Sequence, residues 1–177
     1  MELVEALEPL IPALRRYASA MVRDRDLADD LVQDCLEKAI ASWHTRRKVG
    51  DTRQWVFAIA HNLIVNKLRQ DARRGLHIDI ADAEEASLAV PAAQEHRVRH
   101  GELMQAIAAL PEEQRSVVLL VSVEDLSYAE AAQTLGIPIG TVMSRLARGR
   151  ERLQRALDGE SGRKIQAPGG AQLRRMK

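Results

Sequence analysis

The residues best suited to chemistry in this chain are five arginines, Arg145, Arg148, Arg150, Arg152 and Arg155, crowded into one short stretch. A planar guanidinium forks onto a phosphate or onto the O6/N7 edge of guanine, so such a run suits DNA binding better than catalysis. Covalent chemistry finds little support elsewhere. No Gly-rich phosphate loop and no nucleophile elbow occurs. Cys35 is the only cysteine, which excludes an internal disulfide and a cysteine-based zinc site. His96 and His100 are spaced to share a helical face, but the other ligand candidates near them are only acidic, so no metal site is expected. These residues describe a binding protein rather than an enzyme, with no cofactor.

The arginines need a scaffold, and the segment from Leu126 to Leu157 supplies it: LSYAEAAQTLGIPIGTVMSRLARGRERLQRAL. Tyr128, Ala131, Ala132 and Leu135 recur with the period of a helix. Gly136 supplies a left-handed helix end, and Pro138 blocks simple continuation. Ile137 and Ile139 flank that proline and can plug the angle between two helices. Thr141 is the expected N-cap of the second helix. Val142, Leu146, Gly149 (or Leu153) and Leu157 form its inner stripe, while the arginines take the other faces. Small Ala131 and Ala132 permit close approach of the first helix. This is a helix-turn-helix whose second helix suits the major groove. The alternative is an ordinary helical hairpin with a solvated basic face.

A formal net charge of +1 conceals a pattern. Residues 1–40 carry 5 Lys/Arg against 9 Asp/Glu, residues 41–75 carry 8 against 2, residues 76–135 carry 3 against 11, and residues 136–177 carry 10 against 3. Two basic blocks thus alternate with two acidic ones. Aromatics make up only 3% of the residues, so the core must come from Leu, Ile, Val and Ala, which suits an all-α fold of two small helical domains. No signal-peptide core and no apolar run of membrane-spanning length occurs, and a cytoplasmic setting is expected.

From the start, Leu3, Leu7, Leu10, Leu14, Tyr17, Ala18 and Met21 mark an amphipathic helix, with a fresh start at Pro9 or Pro12. Asp24 or Asp26 caps a second helix to about Trp43. Its inner set is Leu27, Leu31, Val32, Cys35, Leu36, Ala39 and Ile40, and Asp29, Asp30, Gln33, Asp34 and Glu37 form an acidic strip beside it. The loop HTRRKVGDT, with Arg46, Arg47 and Lys48, is basic. A third helix spans about Arg53 to Arg74, with Trp55, Val56, Ile59, Ala60, Leu63, Ile64 and Leu68 inward. His61, Asn62, Asn66, Lys67, Arg69, Arg73 and Arg74 face outward as a track for phosphates. Trp55 and Phe57 either stack on bases or belong to the core. Four segments follow: residues 1–75 as one domain, 76–97 as a linker interrupted by Pro91, 98–158 as a second domain, and 159–177 as a tail without regular structure.

Three segments, DDLVQDCLEKAIASW, RQWVFAIAHNLIVNKLRQDARR and LPEEQRSVVLLVSVEDLSYAEAAQTLGIPIGTVMSRLARGRERL, resemble bacterial sigma factors of the extracytoplasmic-function type, in the right order and with the right gap. The resemblance covers about residues 8 to 158. It implies a subunit that directs core RNA polymerase to promoters through a sigma-2 and a sigma-4 domain. On that resemblance, Asp30, Gln33 and Asp34 dock on the polymerase. Arg46, Arg47 and Lys48 lie in the loop that captures a base flipped from the −10 strand, and Asn62, Lys67, Arg69 and Arg73 lie along the −10 DNA. Thr141, Ser144, Arg145 and Arg148 read the −35 element, with Arg150, Arg152 and Arg155 placing the helix on phosphates. Met143 departs from the polar or basic residue that many relatives carry. The resemblance also implies a role in stress response and a separate anti-sigma factor, since this chain has no cysteine-histidine zinc module. A free-standing helix-turn-helix regulator is the competing reading, disfavoured because residues 1–75 carry a second DNA-like surface and no sensing βα pattern.

Overall fold

The computed structural model describes residues 3–44, 51–75 and 91–165, all in helices and short turns. Helix α1 (Leu3–Leu7) passes through a 3₁₀ turn at Glu8–Leu10 into α2 (Ile11–Val22), and the fresh start falls at the two prolines. Proline is tolerated there because the first turn of a helix has no partner for its N–H. Asp24 caps α3 (Arg25–Ser42), its carboxylate accepting from the Leu27 N–H at 3.0 Å. Asp51 does the same for α4 (Thr52–Arg73), accepting from the Arg53 N–H at 3.1 Å.

Helix α5 runs over Pro91–Ala108. Pro91, expected to interrupt an irregular stretch, instead opens this helix, because the first helical position needs no N–H donor. Helix α6 (Glu112–Ser122) and α7 (Tyr128–Leu135) lead to the longest element, α8 (Ile139–Ile165). The tail expected to lack structure from residue 159 is helical to Ile165, through Gly159 and Gly162; adding residues to an established helix avoids the cost of nucleating one. Residues 166–177 lie outside the described residues.

Helices α2, α3 and α4 pack on one another, as do α6, α7 and α8. The two groups then join: α2 meets α5 and α6, and α4 meets α7. Their buried side chains form one continuous apolar cluster, from Leu14, Tyr17, Cys35 and Phe57 to Val117, Leu120, Val142 and Leu146. Phe57 is 0% exposed and meets Tyr17 edge-to-face at 5.6 Å, so of its two readings the core one holds. Trp55 is half-buried against Trp43. His61 also turns out to be an inward residue: its Nδ1 lies 2.9 Å from the Tyr17 hydroxyl, and burial pulls the imidazole down from 6.5 to about 4. Burial likewise pushes the Cys35 thiol up to about 12, and its Sγ donates to the Val56 carbonyl at 3.5 Å.

Candidate nucleic-acid interface

The turn between α7 and α8 fixes the geometry of the arginine run. Ser127 and Glu130 close a capping box on α7, in which each residue satisfies a backbone donor of the other. The Glu130 N–H donates to Ser127 Oγ at 3.2 Å, and the Ser127 N–H donates to Glu130 Oε2 at 2.7 Å. The hydrogen bonds from Ser127 hold the Glu130 carboxyl below its ordinary pKa. At the other end Gly136 takes φ 65°, and the Ile137 N–H reaches back to the Ala132 carbonyl at 3.0 Å. That six-residue closure is the glycine-dependent stop expected from the sequence.

Helix α8 starts directly after Pro138, at Ile139. Thr141 is therefore not its N-cap, contrary to expectation: its N–H already donates to the Pro138 carbonyl at 2.9 Å, and it sits inside the first turn. Val142, Leu146 and Gly149 form the buried edge. Gly149 is needed there, since a Cβ at that position would stand 2.7 Å from Val118 Cγ2 of α6. The opposite edge carries Gly140, Ser144, Ala147 and Arg148, all exposed. Arg148 folds back on its own helix, with Nε donating to the Ser144 carbonyl at 3.2 Å and Nη2 to Ser144 Oγ at 3.3 Å. Arg145 is instead drawn toward α6, where it pairs with Glu113 at 2.8 Å and is only 23% exposed. Arg150 donates to Ser122 Oγ at 3.2 Å, Arg155 pairs with Glu151, and Arg152 is exposed. Ile139 and Met143, one turn apart, stand out as exposed apolar residues on this helix.

The second basic surface lies on α4. Asn62, Arg69 and Arg73 are exposed, whereas Lys67 is half-buried and pairs at 3.0 Å with Asp71, itself 6% exposed. Arg46, Arg47 and Lys48 lie outside the described residues. Between α3 and α4 runs a shallow groove of about 460 Å³, lined by Leu31, Asp34, Leu63, Lys67, Arg69 and Arg73. Asp30, Gln33 and Asp34 are exposed along one stripe of α3, with Gln33 donating to Glu37 at 3.0 Å. The expected acidic stripe on α3 and the expected basic track on α4 thus share a groove, in which Asp34 lies with Lys67, Arg69 and Arg73, while the outer edge of α8 belongs to a different helix. Among the described residues there is no group of three or more His, Cys, Asp or Glu side chains able to hold a metal, and no helix long and apolar enough to cross a membrane.

Sequence reasoning missed a set of contacts between the two halves. The Glu124 carboxylate, 0% exposed, receives Arg16 of α2 through Nε at 3.2 Å and Nη2 at 2.9 Å, and Arg53 of α4 at 3.3 Å. Arg53 also donates to the Glu124 carbonyl at 2.7 Å. Gln54 reaches Gln133 of α7 at 2.6 Å. Arg115 donates to the carbonyls of Met21 at 2.7 Å, Ala108 at 2.6 Å and Leu110 at 2.8 Å, which ties the ends of α2 and α5 together. Its burial lowers its pKa. Partners so far apart in sequence leave no local signal. The missed capping box does leave one, the spacing Ser-Tyr-Ala-Glu ahead of the apolar positions of α7.

A family model for sigma-70 region 4 matches residues 100–153, and one for the sigma-2 domain of PhyR matches residues 7–61. The chain is 32% identical over 148 residues to the ECF RNA polymerase sigma factor EcfG of Rhodopseudomonas palustris, covering 83% of this chain and 80% of that one. It is 35% identical over 153 residues to the RNA polymerase sigma factor HrpL of Pseudomonas syringae, covering 84% and 83%. Among solved structures, the sigma factor RpoE of Bartonella quintana, in complex with the anti-sigma factor NepR, superposes with a TM-score of 0.71 at 31% identity, over 87% of this chain and 95% of that one. CnrH, solved with the cytosolic domain of CnrY, shares the fold with a TM-score of 0.66 at 23% identity, over 89% and 88%.

Proposed function

The chain belongs to the extracytoplasmic-function sigma factors of the sigma-70 family, and from that membership we propose which of its surfaces meet polymerase and which meet promoter DNA. As a sigma factor it directs core RNA polymerase to promoters and initiates transcription there. Bond making belongs to the polymerase, so this chain is a binding subunit without catalytic residues, working in the cytoplasm. The stripe Asp30, Gln33 and Asp34 docks on a basic polymerase surface. Both aspartates are exposed and open to an external cation. The track Asn62, Lys67, Arg69 and Arg73, with Arg46, Arg47 and Lys48 that precede α4 in the sequence, follows the −10 element.

Ser144 and Arg148 read base edges of the −35 element beside Thr141. Arg145 joins them by leaving Glu113, and Arg150, Arg152 and Arg155 bind flanking phosphates. The observation that carries this reading is the two-sidedness of α8: Val142, Leu146 and Gly149 are buried while Ser144 and Arg148 stay exposed on the other edge. A bidentate arginine–guanine contact discriminates by about 1–3 kcal/mol. The sigma factor RpoE was solved bound to an anti-sigma factor, which supports a separate anti-sigma partner for this chain.

Run-off transcription with purified core polymerase on a library of spaced −35/−10 promoters tests the reading. Transcripts that depend on the chain are expected, and their promoters give the consensus. Failure to bind core polymerase would overturn the assignment of the α3 stripe.

A further inference from the structure

Buried carboxylates rarely stand alone, and Glu124 has recruited two guanidinium groups from the other half of the molecule. It lies in the turn after α6, where Asp125 takes φ 53°. That left-handed conformation is unusual for a residue with a side chain. The turn aims Glu124 away from its own helices and into the seam between α2 and α4. Arg16 meets it with two N–H groups, the fork geometry that arginine offers equally to a carboxylate or a phosphate. Arg53 completes the cradle from the first turn of α4. Without Glu124 the two guanidinium groups would face each other across a space sized for one anion.

This closed arrangement cannot serve a promoter. Elements centred at −10 and −35 lie about 25 base pairs apart, roughly 85 Å of duplex at about 3.4 Å per base pair. Here α4, which bears the −10 track, touches α7, the helix packed against the −35 helix α8. The halves must part for both elements to be read, and parting withdraws Glu124 from its arginines.

We infer that Arg16 and Arg53 form a binding site for a backbone phosphate of promoter DNA, and that the Glu124 carboxylate occupies this site while the two halves are closed. The inference rests on the reading of α4 as the −10 helix. Glu124 is an internal stand-in for DNA. It lowers the affinity of the free chain for nucleic acid, and polymerase binding exchanges it for the phosphate.

The test uses the full chain, free and in holoenzyme. Free Glu124→Gln, which keeps the side-chain shape and removes the charge, is expected to bind duplex DNA several-fold more tightly than wild type at low salt. Holoenzyme carrying Arg16→Gln and Arg53→Gln is expected to keep its affinity for core polymerase. Its slope of log K against log salt on promoter DNA should shrink by about 0.7–0.9, since the one phosphate held by the pair contributes about 0.9 on duplex and about 0.7 on single strands. Should the Arg53 change disturb α4, seen as a lowered melting temperature, Arg16→Gln alone carries the test, with the slope shrinking in the same direction by up to about 0.7–0.9. An unchanged slope overturns the phosphate site, and unchanged DNA binding by free Glu124→Gln overturns the masking. A fall in core affinity instead would assign the arginines to an acidic polymerase surface and also overturn it. If wild-type holoenzyme gives no promoter-dependent transcript, the sigma reading of these surfaces has failed, not this site.

Discussion

Gly149→Ala should destabilise the protein, although alanine is the better helix former. Position 149 lies well inside α8, where replacing glycine by alanine ordinarily gains about 1 kcal/mol. The added Cβ, however, would sit 2.7 Å from Val118 Cγ2 and 3.6 Å from both Cβ and O of Gln114. Val118 is 3% exposed and β-branched, so its methyl cannot swing aside. Overpacking of this kind costs about 1–3 kcal/mol, and against the gain of about 1 kcal/mol from helix propensity the clash wins by about 1 kcal/mol. In a chain of this length that lowers Tm by about 2–4 °C. Thermal and urea melts of Gly149→Ala, Val118→Ala and the double variant separate the two terms. With Val118 truncated, the same Gly149→Ala change should become stabilising by about 1 kcal/mol, giving a coupling of about 2 kcal/mol between the positions. A rise in Tm in the wild-type background, or equal effects in both backgrounds, would refute the close-approach argument. Because Gly149 sets how deeply α8 sits on α6, −35-dependent transcription should fall along with stability.

Three further outcomes are expected. The unfolded chain protonates His61 near pH 6.5, whereas the folded chain resists until about pH 4. Stability should therefore fall as pH is lowered through that window, and His61→Gln should flatten the loss in melts taken across it. Ser127→Ala breaks the capping box and should cost about 1 kcal/mol, read as a shift in the urea midpoint at constant m-value. Asp34→Arg should weaken core polymerase binding while leaving the melting curve intact, and Arg148→Ala should do the reverse, sparing core binding and lowering −35-dependent transcription. Identical behaviour of these two variants in both assays would dissolve the proposed division of surfaces.

Local devices are legible in the sequence. Gly136 as a left-handed stop, Asp24 as a cap, the restart at the N-terminal prolines and the buried edge of α8 each depend on a few neighbouring residues. The errors come from position and distance. Thr141 has the chemistry of a good cap, yet the chain already turns helical at Ile139. Pro91 resembles an interruption because its effect depends on whether it opens a helix or sits inside one. His61 reads as an outward polar residue and Phe57 as either core or base-stacking, because the Tyr17 that meets both lies 44 positions before His61 and leaves no local signal. Arg16, Arg53 and Glu124 carry no signal at all: 108 positions separate Arg16 from Glu124, and only the folded chain brings them together.

The single apolar cluster also bears on how the chain is made. Helices α2 and α4 leave the ribosome before the helices that cover them. Once α4 is complete, roughly 60 more positions must be added to finish α7, which takes about 3–12 s at ordinary rates of synthesis. During that interval the face that will receive α6 and α7 meets water or whatever else is at hand. The same face is uncovered again each time the halves part on polymerase. The newborn chain and the working subunit therefore share one vulnerability, and only the resting form is free of it.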